Sequence, residues 1–410
     1  MSNIVLSAAV RQNLLSLQST ADLLATTQNR LSTGKKVNTA LDNPTNYFTA
    51  QGLDNRASDI NNLLDSIGNG VQVLQAANTG ITSLQKLVDT AKSIANQVLQ
   101  APTGYSSKAN VTTLAPAGAA PLNVPGTATD LTNAGTNSLQ GQALNFKTSS
   151  GTLSLTISNV AGAGKVNSID ALNTALTTAG VNLTASFNAA GTITFTSTND
   201  AASQVITNTG AAPVAAGIVD ISGGTAISGL TVTAAVPDAA SQTIRSNLVG
   251  QYNNIITQIT TTAQDASFNG INLLNGDDLK LTFNETGKST LNIKGVTYSA
   301  GGLGLASLVS GTDFLDNNSA KSILSKLGTA SDTLRSEAST LGSNLSVVQI
   351  RQDFNKNLIN VLQTGSSNLT LADTNEEAAN SQALSTRQSI AVSALALANQ
   401  SQQSVLKLLQ

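Results

Sequence analysis

The sequence predicts a multi-domain α+β fold with long terminal coiled-coil α-helices, a helical domain with a β-hairpin, and a β-rich inserted outer domain. Three observations predict this class. Apolar residues recur every seven positions near both ends of the 410-residue chain. Six of the seven prolines lie between 102 and 237, and proline disrupts helix interiors because it lacks the backbone donor. Apolar and polar residues alternate in three short segments between the helical ends, as hairpin strands do.

The first helix is predicted from two interleaved rows of residues. The first row has a spacing of seven and the second lies four residues on: Val10, Leu17, Leu24 and Leu31, then Leu14, Ala21 and Gln28. Such a stripe is typical of a coiled-coil helix of about two dozen residues or more. Gly34 follows it and is suited to a left-handed C-terminal cap.

A second helix is predicted over about 56–100. Its row at sevens is longer than the first: Ile60, Ile67, Leu74, Ile81, Val88 and Ala95. Gly68, Gly70 and Gly80 each weaken a helix by ~1 kcal/mol relative to alanine. Continuity of this helix therefore requires packing against a partner helix.

Two further helices are predicted at the C-terminal end. The first spans about 319–365 and carries another row at sevens: Leu327, Leu334, Leu341, Val348, Asn355, Leu362 and Leu369. The last helix carries Leu384, Ala391, Ala398 and Val405, with Leu395 and Leu409 beside them. A repeat of seven predicts left-handed coiled-coil packing. Glu376 and Glu377 are expected near the start of this helix, where the dipole favours them.

The middle of the chain predicts a small α+β module. Hairpins are expected over 143–160, turning near Ser149-Ser150-Gly151, and over 181–197, turning near Ala189-Ala190-Gly191. Between them, 168–180 is predicted to be a helix capped by Ser168 and closed by Gly180. A third hairpin is expected over 278–297 around Glu285-Thr286-Gly287, and 251–262 is compatible with a short helix.

The composition excludes several classes of function. The chain has no cysteine, histidine or tryptophan, so Ser–His–Asp catalysis, HExxH metalloprotease chemistry and disulfides are absent. No metal or cofactor is expected, and Asp277-Asp278 is interpreted as a polar hairpin end. The net charge is −2 without a basic patch, which disfavours nucleic acid. No apolar stretch reaches the ~20 residues that a membrane span needs, and the N-terminus does not resemble a secretory signal peptide.

The terminal helices favour assembly over an intramolecular bundle. Their seams are rich in alanine, glutamine and serine, so one helix pair buries little apolar surface. Each Å² of apolar surface that is buried stabilises the pair by ~25 cal/mol. That gain barely offsets an ordering cost of ~1–2 kcal/mol per residue. We therefore expect these helices to become ordered among neighbouring copies, although a bundle within one chain remains an alternative.

Three separated motifs resemble those of bacterial flagellins. They are Arg30-Leu31-Ser32-Thr33-Gly34-Lys35-Lys36-Val37-Asn38, Phe268-Asn269-Gly270-Ile271-Asn272-Leu273-Leu274-Asn275-Gly276, and Ala398-Asn399-Gln400 followed by Val405-Leu406-Lys407-Leu408-Leu409. They occur in the order found in that family. The resemblance covers about 1–100 and 250–410, and the middle has no such signal.

The resemblance implies a structural subunit of a flagellar filament, without enzymatic activity. It implies a terminal coiled-coil domain (1–45 with 366–410), a helical core domain with a hairpin (46–100 with 251–365), and a surface-exposed insert (101–250). Implied partners are identical subunits, an export chaperone at the C-terminal helix, and hook-associated junction and cap proteins. Export would use the flagellar type III apparatus without a cleaved signal peptide.

Three alternatives to a filament subunit are compatible with parts of the sequence. A hook–filament junction protein shares the terminal helices and is distinguished by copy number. A secreted adhesin would bind glycans through the middle, where aromatic residues are sparse. An enzyme inserted in the middle is disfavoured because histidine is absent.

Two segments depart from the family pattern. Asp42-Asn43-Pro44-Thr45-Asn46-Tyr47-Phe48 replaces a D-D-A-A-G run, so the link between the first two helices is expected to differ. A Q-R-V-R-E-L stretch that the animal innate receptor reads in many flagellins is replaced by a segment containing Lys86, Asp89 and Thr90. Lysine lacks the guanidinium fork, and weak receptor activation is therefore expected.

Overall fold

The computed structural model describes residues 8–113, 131–132, 139–160, 162–187, 192–210, 217–223 and 230–408, without the side chains of 9, 402 and 405–408. The chain divides into two compact units. Unit one comprises Met1–Gln72, Leu279–Ile293 and Asn344–Gln410. Unit two comprises Val73–Asp278 and Lys294–Ser343. The three-domain division implied by the sequence resemblance remains a prediction.

Six α-helices occur in the described residues: α1 Ala8–Thr33, α2 Pro44–Gln100, α3 Ile169–Thr178, α4 Ala239–Asp265, α5 Asn317–Thr370 and α6 Thr374–Leu408. The predicted terminal helices are thus confirmed. Gly34 follows α1 with a φ of 67°, as its predicted role at the end of the helix requires. Glu376 and Glu377 lie in the first turn of α6.

Helices α2 and α4 each begin twelve residues before the start that the sequence analysis predicted, at 44 instead of 56 and at 239 instead of 251. Both starts are capped by a side chain. The Asn46 N–H donates to the side-chain oxygen of Asn43 at 3.1 Å, and the Ser241 N–H donates to the Asp238 carboxylate at 2.9 Å. Pro44 occupies the first helical position, where its missing donor costs nothing.

Two glycines within α2 lie where other segments approach the helix closely. A Cβ at Gly70 would overlap the Leu281 side chain in unit one. A Cβ at Gly80 would lie 2.6 Å from Leu274 Cδ1 in unit two. The helix is continuous through both residues. Glycine is required at these two positions because a side chain would clash with the neighbouring leucine.

Unit one joins α1, α6, the first half of α2, the second half of α5 and one hairpin. The link after α1 is tied to the link before α6, because the Lys36 N–H donates to Thr370 O at 2.7 Å and the Ala372 N–H to Gly34 O at 3.0 Å. The predicted hairpin is confirmed as β12 Leu279–Thr282 paired with β13 Thr290–Ile293. The Asn355 side chain fixes it to α5 by donating to Phe283 O at 3.0 Å.

Unit two contains the middle of the chain, whose described strands are β1 Tyr105–Ser107, β2 Asn110–Thr112, β3 Ala143–Thr148, β4 Gly151–Ile157, β5 Lys165–Val166, β6 Leu183–Phe187, β7 Ile193–Ser197, β8 Val205–Thr207, β9 Ile218–Gly223, β10 Thr231–Thr233 and β11 Val236–Pro237. They form sheets of order β5-β4-β3-β9-β8 and β10-β2-β7-β6 and the pair β1-β11. The predicted pairs β3–β4 and β6–β7 are confirmed, although the turn at 189–191 lies outside the described residues.

The two larger sheets and α3 share one apolar core. Phe146 of β3 and Phe195 of β7 are fully buried with ring centroids 5.3 Å apart in an edge-to-face arrangement. Leu172 and Leu176 of α3 are also buried in this core. Ser168 caps α3 as predicted, accepting the Ala171 N–H at 3.1 Å, and Gly180 ends it with a φ of 70°.

Candidate assembly surface

The helices α1 and α6 pack against each other in unit one through a seam that is only partly apolar. On α1, Val10 is buried and Leu17 and Leu24 are half-buried. The second row of the seam lies three residues after the first and not four, because Thr20 and Thr27 are the buried residues. In the predicted +4 row, Ala21 is half-buried and Leu14 and Gln28 are exposed, and the role of this row in assembly remains a prediction.

The α6 side of this seam follows the predicted residues. Leu384, Ala391, Leu395 and Ala398 are half-buried, while their neighbours on the other faces of α6 are exposed. The side chain of Val405 and all of Leu409 lie outside the described residues. Alanine and threonine contribute little apolar area, so the seam holds the two helices together weakly.

The buried Thr20 satisfies its hydroxyl group within α1. Thr20 Oγ1 donates to Ser16 O at 2.8 Å. A hydroxyl bonded in this way competes with the helix backbone and adds little stability. The α1–α6 seam is therefore energetically thin.

An ion pair joins the end of α1 to the start of α6. Arg30 Nη1 lies 3.4 Å from Glu377 Oε1. The Glu377 side chain is largely buried, and its charge is favoured at the N-terminal end of α6 by the helix dipole. This contact fixes the register of the two helices at one end of their seam.

Several leucines of α1 remain uncovered in the single chain. Leu14 and Leu31, which the sequence analysis placed in the assembly seam, are each 38% exposed, and Leu15 and Leu23 are 69% and 53% exposed. On α6, Ile390, Val392 and Leu397 are exposed as well. Sets of exposed large apolar residues mark interaction surfaces in soluble proteins.

The predicted seam of the helical core is buried at every position. These residues are Ile60, Ile67, Leu74, Ile81 and Val88 on α2 and Leu334, Leu341, Val348 and Leu362 on α5. In unit one, Ile60 and Ala57 cluster with Ile359 and Leu362. The heptad rows of these two helices therefore supply their own core, in contrast to the rows of α1 and α6.

The residues at the altered receptor segment lie on the surface of α2. Lys86, Asp89 and Thr90 are exposed. Asp89 forms an ion pair with Lys92 at 3.7 Å, and Thr90 Oγ1 donates to Lys86 O at 2.9 Å. The segment is accessible, and its role in receptor activation remains a prediction.

The paired carboxylates at 277–278 close a loop. Asp277 accepts the Asn272 N–H at 2.8 Å, and Asp278 accepts the Gly295 N–H at 3.2 Å. Among the described residues, no three acidic side chains lie close enough to hold a metal ion. Within the same part of the chain, no helix is long and apolar enough to cross a membrane.

Comparison with known proteins finds a similarity at each end of the chain. Residues 3–115 match the bacterial flagellin N-terminal helical region, and 324–409 match the bacterial flagellin C-terminal helical region. Flagellin FljM of Caulobacter vibrioides is 33% identical over 177 residues, which are 42% of this chain and 63% of the relative. Flagellin FljK of the same organism is 33% identical over 178 residues, again 42% of this chain and 63% of the relative.

A relative from another organism matches a shorter segment. Flagellin C of Rhizobium meliloti is 35% identical over 77 residues, which are 19% of this chain and 24% of the relative. The chain spans about 63% of the length of the Caulobacter relatives named above.

Proposed function

We infer that this chain, whose ends match the N- and C-terminal helical regions of bacterial flagellins, is a structural subunit of a flagellar filament, the helical propeller for swimming motility. One observation carries the proposal. The paired helices α1 and α6 have a thin, partly polar seam and leave large apolar residues exposed. Identical copies satisfy these residues when they assemble.

The proposed mechanism is mechanical. Identical subunits that contact one another head to tail form an open helical polymer when the rotation between neighbours does not close a ring. The terminal domain (1–45 with 366–410) lines the inner tube and the helical core (46–100 with 251–365) surrounds it. The insert (101–250) projects outward. Such a polymer transmits motor rotation as thrust and requires no catalytic group.

The proposal includes partners beyond the identical copies. The subunit leaves the cell through the flagellar type III apparatus. A cytoplasmic chaperone covers the exposed Ile390, Val392 and Leu397 of α6 before export. Hook-associated junction and cap proteins contact the two ends of the polymer.

Seeded polymerisation tests the proposal. Purified protein is mixed with short fragments nucleated by ammonium sulfate, which strengthens apolar association, and is followed by sedimentation and electron microscopy. The full chain is expected to grow into long helical fibres. A variant without residues 1–33 is expected to remain in the supernatant. A full chain that stays monomeric under these conditions refutes the proposal, and a single ring of subunits per flagellum in cells supports a junction protein instead.

A further inference from the structure

Helix α5 carries a second apolar row that is exposed to solvent among the residues that the structure describes. The buried row includes Leu341, Val348 and Leu362. A separate set, which we call the outer row, consists of Val347, Ile350, Phe354 and Val361, which are 45%, 65%, 55% and 66% exposed. Its members at 347, 354 and 361 again have a spacing of seven.

The outer row is confined to the second half of α5. Between 317 and 346, the exposed positions of this helix hold only polar residues and glycine. The outer row also lies entirely in unit one and within the matched C-terminal flagellin region. Four large apolar residues on one exposed helical face mark an interaction surface, unlike single exposed residues elsewhere.

The spacing indicates that the covering element is a helix. A row at sevens presents a continuous seam only to a second helix wound around the first. The same unit presents such a helix in α6, where Ile390 and Leu397 are seven residues apart and 64% and 71% exposed. Because both rows are exposed in the same molecule, neither covers the other within one chain. A second copy supplies a suitable helix.

The area of the outer row favours a polymer over an isolated dimer. Each partner of a stable standard-size interface buries ~800 Å². The four side chains are only 45–66% exposed. Even if each were as large as an aromatic side chain, which buries ~200 Å², their exposed parts would supply only about 460 Å². The outer row therefore contributes only where other contacts already hold the copies together, as they do between neighbours in a filament.

We propose that the outer row is an intersubunit seam that packs against a helix of a second copy of this chain. This inference rests on the proposed filament function and assigns part of the contact between subunits to four residues of α5. It adds to the contacts of α1 and α6 a surface that belongs to the helical core.

Paired double substitutions test the seam. Phe354→Gln/Val361→Gln removes two members of the outer row and keeps good helix-forming residues. Val160→Gln/Val309→Gln is the matched control, because these valines are 60% and 61% exposed and lie in unit two. We expect the critical concentration for seeded polymerisation to rise at least tenfold in the first variant and to stay within twofold in the control. Both monomers are expected to keep the melting temperature of the unmodified chain.

A fluorescent label distinguishes the possible occupants. The chain has no cysteine, so Val361→Cys accepts an environment-sensitive dye at a single site. Its emission is expected to shift to shorter wavelength only in the polymer, whereas a dye on Val160→Cys shows no such shift. A shift already present in the monomer indicates that the chain covers the row itself and overturns the inference.

These measurements distinguish a failure of the proposed seam from a failure of the proposed filament function. If the unmodified chain never polymerises, the filament function fails and the seam fails with it. If the unmodified chain polymerises and Phe354→Gln/Val361→Gln polymerises equally well, the filament function stands and the seam is refuted.

Discussion

Arg245 Nη1 donates a hydrogen bond of 2.7 Å to the carbonyl oxygen of Phe314, whose backbone has a φ of 61°. A left-handed conformation is strained for a bulky residue. The same guanidinium donates from Nε to Pro102 O at 2.7 Å and from Nη2 to Ala101 O at 3.2 Å. One buried side chain thus joins the chain just beyond α2 to the loop before α5 and holds that loop in its strained conformation.

We predict that Arg245→Lys destabilises unit two by about 3 kcal/mol. A lysine ammonium lacks the planar fork that reaches several carbonyls at once, and each buried acceptor left without a partner costs about 1–3 kcal/mol. Urea unfolding followed by tyrosine fluorescence measures the effect, because Tyr105, Tyr252 and Tyr298 lie in unit two and only Tyr47 lies in unit one.

The control for this substitution is Lys356→Met. Lys356 is exposed and pairs with Asp353 at 3.8 Å, and exposed pairs contribute at most about 1 kcal/mol. Equal urea midpoints for Arg245→Lys and the unmodified chain would show that the guanidinium does not fix this junction.

A second prediction concerns two glycines of α2 that differ in their surroundings. Gly70→Ala is expected to destabilise unit one by about 1–2 kcal/mol, because the new methyl group overlaps Leu281 and overpacking of a core is costly. Gly52→Ala meets nothing within 4 Å and is expected to stabilise the helix by about 1 kcal/mol. Thermal unfolding followed by circular dichroism gives both values. A rise in melting temperature for both variants contradicts the close approach of the hairpin.

The sequence predicted elements with strong periodicity and missed contacts that are distant in the chain. The heptad rows located α2 and α5 and their buried positions, because a repeat over many turns leaves one continuous apolar face. The buried Arg245 was not predicted, since nothing near it in the sequence signals burial. The pairing of β2 with β7 joins Val111 to Phe195, and no local pattern predicts a partner so far along the chain.

The sequence also did not reveal which residues of α1 are buried within a single chain. Periodicity predicted a second row at +4, whereas the buried residues of the single chain lie at +3. Two buried threonines, Thr20 and Thr27, fill the inner row and leave Leu14 outside. Likewise, the row at 347, 354 and 361 is visible in the sequence, but it lies next to the stronger row at 348, 355 and 362, and only burial distinguishes them.

A third prediction is that stability is almost independent of pH between about 6 and 9. The chain has no histidine and no cysteine, so no side chain has an ordinary pKa in that range. Burial, with a smaller effect of the Asp313 carboxylate, raises the pKa of Tyr252 to about 12. The fold therefore favours the neutral phenol. This contribution is complete below the unfolded pKa of ~10 and is lost as the pH rises from there to about 12.

The Tyr252 contribution is measured from melting temperatures between pH 6 and 12. We expect a plateau followed by a decline above pH ~10, with a loss of about 2–3 kcal/mol from this residue. Tyr252→Phe is expected to make the decline shallower, because phenylalanine does not ionise. An unchanged alkaline slope in that variant contradicts the assignment.

A fourth prediction concerns acid. Burial by itself would raise the pKa of Asp220, but hydrogen bonds from Thr209 and Thr207 together lower it below its ordinary value. The stability from this group is present above the unfolded pKa of ~4 and is lost as the pH falls through the lower folded value. Asp220→Asn is expected to destabilise the chain at pH 7 and to reduce its sensitivity to acid, as measured by urea midpoints at pH 7 and pH 3. Equal acid sensitivity in both proteins contradicts this role.

The last prediction is that limited proteolysis removes both chain ends first and leaves a core near 45–365. Trypsin sites on exposed side chains occur in the terminal helices at Arg11 and Arg387 and in the helical core at Arg56 and Arg335. All four arginine side chains are exposed, so the order in which they are cleaved depends on how easily the surrounding helix unfolds locally. The thin α1–α6 seam opens more easily than α2 and α5, whose heptad rows are buried.

Mass spectrometry of the early fragments tests the order of cleavage. In the monomer, cuts at Arg11 and Arg387 are expected before cuts at Arg56 and Arg335. In the polymer the two terminal sites are expected to become resistant, since neighbouring copies cover Leu15, Leu23 and Leu397. Early cleavage at Arg335 with intact ends would show that the terminal helices are stable by themselves, and the physical reason for assembly would then be lost.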